Sequence, residues 1–287
     1  MLSVGLLASG RLGLLACDQL REQAELKWLM TDRRSTEIIQ FCEHHSVPHF
    51  VGNPREHQIV EPITSIEIDL LLSVNYLFVA PEKLLKTAGK YAINIHGSLL
   101  PRYRGRTPHV WAIINNESLT GVTAHLMEPE CDAGDIILQQ EIAIEQNHTG
   151  GDLLRKFEEV YPVVIDEILE KVAVGSIPRF VQNESHATYF GKRTPEDGRI
   201  NWDWQRERIR NWIRAQAKPY PGSFFCIHGK TVRVHASEFS NLGFHHEVAN
   251  GTVLQNDPLT VKCPNGALQL LELEPSGSLV DVGDLLT

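Results

Sequence analysis

The sequence predicts an α/β protein in two unequal parts: a mostly parallel sheet with helices on both faces, then a small, partly closed β-barrel. Three observations predict it. Short apolar runs alternate with helix-period segments through the first half, the pattern of parallel strands joined by crossover helices. After about residue 186 the pattern shifts to short strands separated by turn formers, as small barrels require. The length, 287 residues, is too great for one minimal core and too small for three ordinary domains.

The elements follow in order. Leu2–Ala8 is a near-continuous apolar run, as expected of a strand buried on both faces. Arg11–Gln23 is predicted as a helix, Leu26–Met30 as a strand, Ser35–His45 as a helix and Val47–Phe50 as a short strand. Asp69–Val74 is another buried strand, followed by a helix over Pro81–Thr87 and a strand over Ala92–His96. A helix begins at His109, and Gly121–Met127 and Asp135–Glu141 are strands able to pair around the Pro129–Gly134 turn. Asp152–Val174 is the longest helix, with Leu153, Phe157, Val160, Val164, Ile168 and Val172 on one face,. Pro162 lies inside it and is expected to kink it,. Tyr189–Trp202 is polar and rich in turn formers, Gln205–Gln216 is a helix, and Gly229-Lys230 and Asn265-Gly266 mark hairpins among five or so short strands,. This divides the chain into a Rossmann-like part over 1–186, a linker over 187–204, and a helix with an OB-like barrel over 205–287.

Composition excludes several classes. Lys plus Arg total 27 against 36 Asp plus Glu, a formal charge of −9, unsuited to general attraction to nucleic acid or anionic membrane. Five scattered cysteines without a CxxC read as reduced thiols,. No window reaches 18 consecutive apolar residues, so no spanning helix is expected. The first residues read as a strand rather than a signal peptide, and a cytoplasmic location is the expectation. His44-His45 and His245-His246 lack metal-ligand spacing, and no metal is expected.

One stretch carries chemistry: Asn94-Ile-His96-Gly-Ser-Leu-Leu-Pro-Arg102-Tyr-Arg104-Gly-Arg106. It leaves a buried strand at its C-terminal end, where open α/β sheets place their ligand crevice. Asn94 and His96 are two apart on an extended chain, so an amide and an imidazole share one side. Asp132, in the turn between two later strands, is placed to reach back and orient His96. Read alone, Asp132 is a turn former and His96 a structural histidine. The three arginines, with no acid between Asn94 and His109, are either a solvated loop or an anion clamp for a diphosphate or carboxylates.

Taken together, Asn94–Pro108 (NIHGSLLPRYRGRTP), the following HVWAIINNESLTGVTAH, and Glu130–Ile142 (ECDAGDIILQQEI) resemble the 10-formyltetrahydrofolate-dependent formyltransferases. ATYFGKRTPEDGRINW and AKPYPGSFF resemble that family's C-terminal domain. The resemblance implies formyl transfer to a primary amine, with Asn94 donating to the oxyanion, His96 moving a proton and Asp132 orienting it. It further implies that Phe78, Val79, Ala80, Glu128 and Cys131 hold the pterin and that Arg106 contacts the folate cofactor. Arg102 and Arg104, with Lys192 and Arg193, are the expected substrate contacts.

Two acceptors suit the family: methionyl-tRNA and nucleotide-linked amino sugars. The −9 charge opposes a tRNA, and Met30–Arg34 runs into the helix at Ser35 without the long basic insertion of the tRNA enzymes. The expectation is therefore a UDP- or dTDP-linked 4-amino sugar made for surface polysaccharide or a nonulosonic acid, with no nucleic-acid partner. Relatives of this size imply a homodimer paired through the C-terminal part. A rival class is an NAD(P)-dependent oxidoreductase: Ala8-Ser-Gly10-Arg-Leu-Gly13 follows the first strand, and Asp32 falls near a ribose-binding position,.

Overall fold

The computed structural model describes residues 1–56, 65–277 and 280–287. They form two compact units: Met1–Gly105, Thr120–Ile142 and Arg155–Phe190 make the first, and Arg106–Leu119, Ala143–Leu154 and Gly191–Thr287 the second. Two short pieces of the first half, 106–119 and 143–154, thus belong with the C-terminal residues.

In chain order the elements begin β1 (Ser3–Ala8), α1 (Gly10–Gln23), β2 (Glu25–Thr31), α2 (Thr36–His44), β3 (His49–Val51), β4 (Ile68–Val74), α3 (Glu82–Leu85) and β5 (Ala88–His96). They continue β6 (Arg104–Gly105), α4 (Pro108–Ile114), β7 (Leu119–Leu126), β8 (Ile136–Ala143), α5 (Gly150–Val174) and β9 (Tyr189–Phe190). The first unit is built on a seven-stranded sheet of order β3-β2-β1-β4-β5-β7-β8. The pairs β1–β2, β1–β4, β2–β3 and β4–β5 are parallel, and β7 joins β5 antiparallel. The mostly parallel α/β architecture is as the sequence predicts. Leu6, Leu7, Leu29, Met30, Leu71 and Leu72 are fully buried, as strands covered on both faces demand. Gly5 lies under the Trp28 indole, where a Cβ would sit 2.3 Å from the ring.

Two elements differ from expectation. The helix over Pro81–Thr87 is a single turn, because Thr87 Oγ1 caps the Leu84 carbonyl at 2.7 Å and the chain re-enters the sheet at Ala88, opposite Ile68. On α5 the buried stripe is Leu153, Phe157, Tyr161, Val164, Ile165, Ile168, Leu169 and Val172, while Val160 is half-buried. Tyr161 takes its place beneath the β5 exit, in ring contact with Phe157 at 5.9 Å. The helix continues through Pro162, whose carbonyl accepts a bond from Gln19 Nε2 at 2.9 Å.

The second unit holds α6 (Arg206–Ala215) and strands β10 (Ser223–Ile227), β11 (Lys230–Ser240), β12 (Val253–Asn256), β13 (Leu259–Cys263) and β14 (Gly266–Glu274). They form an antiparallel sheet of order β10-β11-β14-β13-β12. Ile209, Trp212 and Ile213 are the buried face of α6, as the periodicity predicts. The first hairpin turns on His228 and Gly229, both at positive φ, the geometry a two-residue turn needs, one residue earlier than the Gly229-Lys230 expectation.

The last residues close the sheet. Thr287 exchanges two backbone bonds with Cys226 on β10 (2.6 and 3.0 Å). Leu286 N–H donates to Gly251 O, and Val253 N–H on β12 donates to Asp284 O. Residues 284–287 therefore bond to both edge strands, at Cys226 on β10 and Val253 on β12, and bridge the two edges of the sheet. No described helix is long and apolar enough to cross a membrane.

Candidate active site

Strand β5 delivers the first two residues. Asn94 lies opposite His125 on β7, and His96 opposite Thr123. This antiparallel neighbour brings a second imidazole to the cluster. The Asn94 Nδ2 amide lies 3.0 Å from His125 Nε2. His125 Nδ1 lies 2.8 Å from the Leu126 carbonyl. His96 Nε2 lies 2.8 Å from Tyr103 O, and its Nδ1 lies 3.6 Å from Asp132 Oδ2. The other carboxylate oxygen of Asp132 lies 3.6 Å from His125 Nε2. Asn94, His96 and Asp132, singled out from sequence, are thus brought together, and His125 joins them. All three ionisable side chains are nine-tenths buried or more.

Burial alone would raise the Asp132 carboxyl. The His96 ring beside it and the Gly105 N–H outweigh it and hold the carboxyl well below the usual carboxylate range,. The Gly105 bond to Asp132 Oδ2 measures 2.8 Å, and Cys131 Sγ lies 3.4 Å from the same oxygen.

The backbone of Asp132 is left-handed, at φ 56°, an uncommon state for a non-glycine residue. Gln182 holds it there: its Nε2 donates to Asp132 O at 2.8 Å and to Gly134 O at 2.7 Å. Gly134 is required beside it, since a Cβ would meet Leu126 O at 2.0 Å. The Gln182 Oε1 in turn accepts from Arg104 Nε and Nη2 at 3.2 and 2.8 Å. Arg104 also grips both Glu184 oxygens (3.0 and 2.6 Å) and the Tyr189 hydroxyl.

Arg104 is therefore not a substrate contact. It is fully buried and ties the loop after β5 to the strand-forming 182–189 segment, so the three arginines do not form one clamp. Arg102 is exposed, its guanidinium 5.5 Å from the Tyr103 ring, and Arg106 is half-buried and belongs to the second unit. Replacing Arg104 by Ala strips Gln182 Oε1 of its donors inside the protein. We expect a loss of about 3 kcal/mol, read as a lower midpoint in denaturant unfolding.

The pterin positions are mixed. Ala80 is part of the core with Leu7, Trp28, Met30 and Leu84. Val79 is exposed, and Phe78 is half-buried against Tyr76, edge to face at 5.5 Å. Glu128 and Cys131 are exposed on the rim of the Asp132 turn.

In the second unit Arg193 lies between the indoles of Trp111 and Trp212, 4.9 and 4.3 Å from their centroids. Burial lowers its pKa, and its Nη2 donates to Asp197 O and Gln216 Oε1. It lines a cavity of about 120 Å³ with Thr107, Val110, Gln216, Tyr220 and Gly222. Lys192 is exposed and is not among the lining residues.

The dinucleotide alternative has both anchors occupied. Gly10 N–H donates to Ser35 Oγ at 2.9 Å, and Ser35 Oγ donates to Asp32 Oδ2 at 2.6 Å. Asp32 Oδ1 accepts from Arg34 N–H at 2.8 Å. The glycine turn and the acid that would take a pyrophosphate and a ribose are bonded to one serine instead. No group of His, Cys, Asp and Glu able to hold a metal occurs among the described residues.

A mostly parallel sheet thus carries a buried amide–imidazole–carboxylate cluster at the C-terminal end of one of its inner strands, groups able to donate to an oxyanion and to move a proton. The Formyl transferase family model matches residues 28–169, and the Formyl transferase, C-terminal domain model matches 192–286. The chain belongs to the formyl transferase family and is a formyltransferase. Among solved structures, the N-formyltransferase of Helicobacter canadensis in complex with folinic acid and dTDP-3-aminofucose is 18% identical. Its TM-score is 0.72, over 94% of this chain and 100% of that one. A 4-N formyltransferase from Francisella tularensis is 22% identical, with TM-score 0.68 over 81% and 96%. A variant of HypX from Aquifex aeolicus is 18% identical, with TM-score 0.64 over 95% of this chain and 45% of that one. At these identities the likeness is one of fold.

Proposed function

We propose that this enzyme moves the formyl group of 10-formyltetrahydrofolate to the primary amine of a UDP- or dTDP-linked 4-amino sugar, for surface polysaccharide or a nonulosonic acid, in the cytoplasm. The observation that carries the reading is the buried Asn94–His125–Asp132–His96 cluster at the end of β5. The amine attacks the formyl carbon, a tetrahedral oxyanion forms, the attacking nitrogen loses a proton to the His96 ring, and the folate nitrogen leaves carrying a proton from that ring. Asn94 donates toward the oxyanion, a term of order 10²–10³ in rate. Tyr103 O holds His96 Nε2 at 2.8 Å and Asp132 stands 3.6 Å from Nδ1, so the ring is oriented to take the proton of the attacking amine and to give one to the departing nitrogen. Phe78, Val79, Ala80, Glu128, Cys131 and Arg106 are assigned to the cofactor, and Arg102, Lys192 and Arg193 to the sugar nucleotide.

The family leaves the acceptor open, and three observations favour a small one. The formal charge is −9, against the basic face a tRNA needs. The connection from β2 to α2 is only Asp32–Ser35. The similar structures include an N-formyltransferase in complex with dTDP-3-aminofucose and a 4-N formyltransferase. The division into a catalytic part over 1–186, a join over 187–204 and a barrel part over 205–287, paired as a homodimer, belongs to the same proposal. The test is incubation with 10-formyltetrahydrofolate and a panel of UDP- and dTDP-linked 3- and 4-amino sugars, read by mass spectrometry. The expected result is gain of one formyl group on a 4-amino sugar. Formylation of methionyl-tRNA alone would overturn the acceptor.

A further inference from the structure

We infer that His125 is a positioning residue that sets which way the Asn94 amide faces; the inference rests on the formyl-transfer reading of the cluster. A carbonyl oxygen only accepts, so the 2.8 Å contact with Leu126 O places the ring proton of His125 on Nδ1,. In the neutral ring Nε2 is then a bare acceptor. It lies 3.0 Å from the Asn94 Nδ2 amide and takes one of its two N–H bonds. That contact turns the Asn94 NH₂ group toward β7 and leaves its second N–H to meet an oxyanion. A proton on Nε2 would reverse the pattern. The ring would become a donor, Asp132 Oδ1 at 3.6 Å would attract it, and the Asn94 amide would have to turn its oxygen inward.

The ring is held for this task. His125 is 2% exposed and lies opposite Asn94 in the β5–β7 ladder, so the backbone register keeps the two side chains next to each other. The titratable groups facing it are Asp132 directly and His96 across the same carboxylate.

Two measurements test the inference. Long-range ¹H–¹⁵N spectra of the free protein at neutral pH report the tautomer of each histidine. The expected result is His125 with its proton on Nδ1; a proton on Nε2 overturns the inference whatever the enzyme's substrate. The second is a kinetic comparison. His125→Gln keeps an acceptor near the Nε2 position and is expected to retain kcat within about tenfold, whereas His125→Leu is expected to lower kcat by about 10²–10³ with KM little changed, the loss of one oriented oxyanion donor. Equal losses in both variants, or a loss confined to KM, contradict the assignment. If the wild-type protein transfers no formyl group to any acceptor, the formyl-transfer reading fails, and the tautomer alone decides how His125 and Asn94 are arranged.

Discussion

His96→Ala and Asn94→Ala are each expected to lower formyl transfer by about 10³ or more while the protein stays folded, with KM for either substrate changed far less. The two side chains lie at the end of a strand whose hydrogen bonds run through the backbone to β4 and β7, so truncation leaves the ladder intact. The expected loss is chemical: the donor we propose for the oxyanion in one case, the proposed proton carrier in the other. Circular dichroism and thermal unfolding of the purified variants check the fold, and stopped-time transfer assays check the rate. Wild-type turnover in His96→Ala would remove His96 from the mechanism.

Asp132→Asn is expected to cost as much in rate, of order 10²–10⁴, because the carboxylate orients His96 and receives the Gly105 N–H,. Its second consequence is on stability. The Asp132 carboxyl is held well below its ordinary value in the folded protein. Its contribution is therefore fully present above an unfolded value of about 4 and is lost as the pH falls from there toward the folded value. Hydrogen bonds to a buried charge are worth about 2 kcal/mol, so Asp132→Asn is expected to unfold more readily at pH 7 by about that amount. The gap should hold between pH 5 and 8 and narrow below pH 4. A gap that widens in acid would contradict the origin assigned to the shift.

The legible part of the site was the part written on one strand. Asn94 and His96 announce themselves by a period of two at the end of an apolar run, and Asp132 by lying in a turn that returns to the same edge. His125 has no such mark. It is a lone histidine in an apolar strand, a pattern that elsewhere means a packed ring, and only the register of β7 against β5 gives it partners. Gln182 is harder still: it holds Asp132 and Arg104, 50 and 78 residues away in sequence, and nothing local signals either contact. The misreading of Arg104 has the same cause. Three arginines at alternating positions read as a solvated, anion-seeking loop, but the chain returns at Gln182–Tyr189 to cover the middle one.

The fold divides similarly. Buried strands and the amphipathic α6 follow from periodicity. The allocation of 106–119 and 143–154 to the second unit and the closing of the barrel by residues 284–287 depend on partners far along the chain. The segment 284–287 has neither the length nor the alternation of a strand; it is recruited because two strand edges need hydrogen bonds.

The reaction proposed for the cluster at the end of β5 is formyl transfer to a sugar amine. The most direct measurement follows an isotopically labelled formyl group from 10-formyltetrahydrofolate into a UDP- or dTDP-linked 4-amino sugar, with wild type and Asn94→Ala compared side by side. Label is expected in the sugar amide with wild type, and at a rate lower by about 10³ with the variant. Label reaching no amino sugar, or reaching it equally fast with Asn94→Ala, would contradict it.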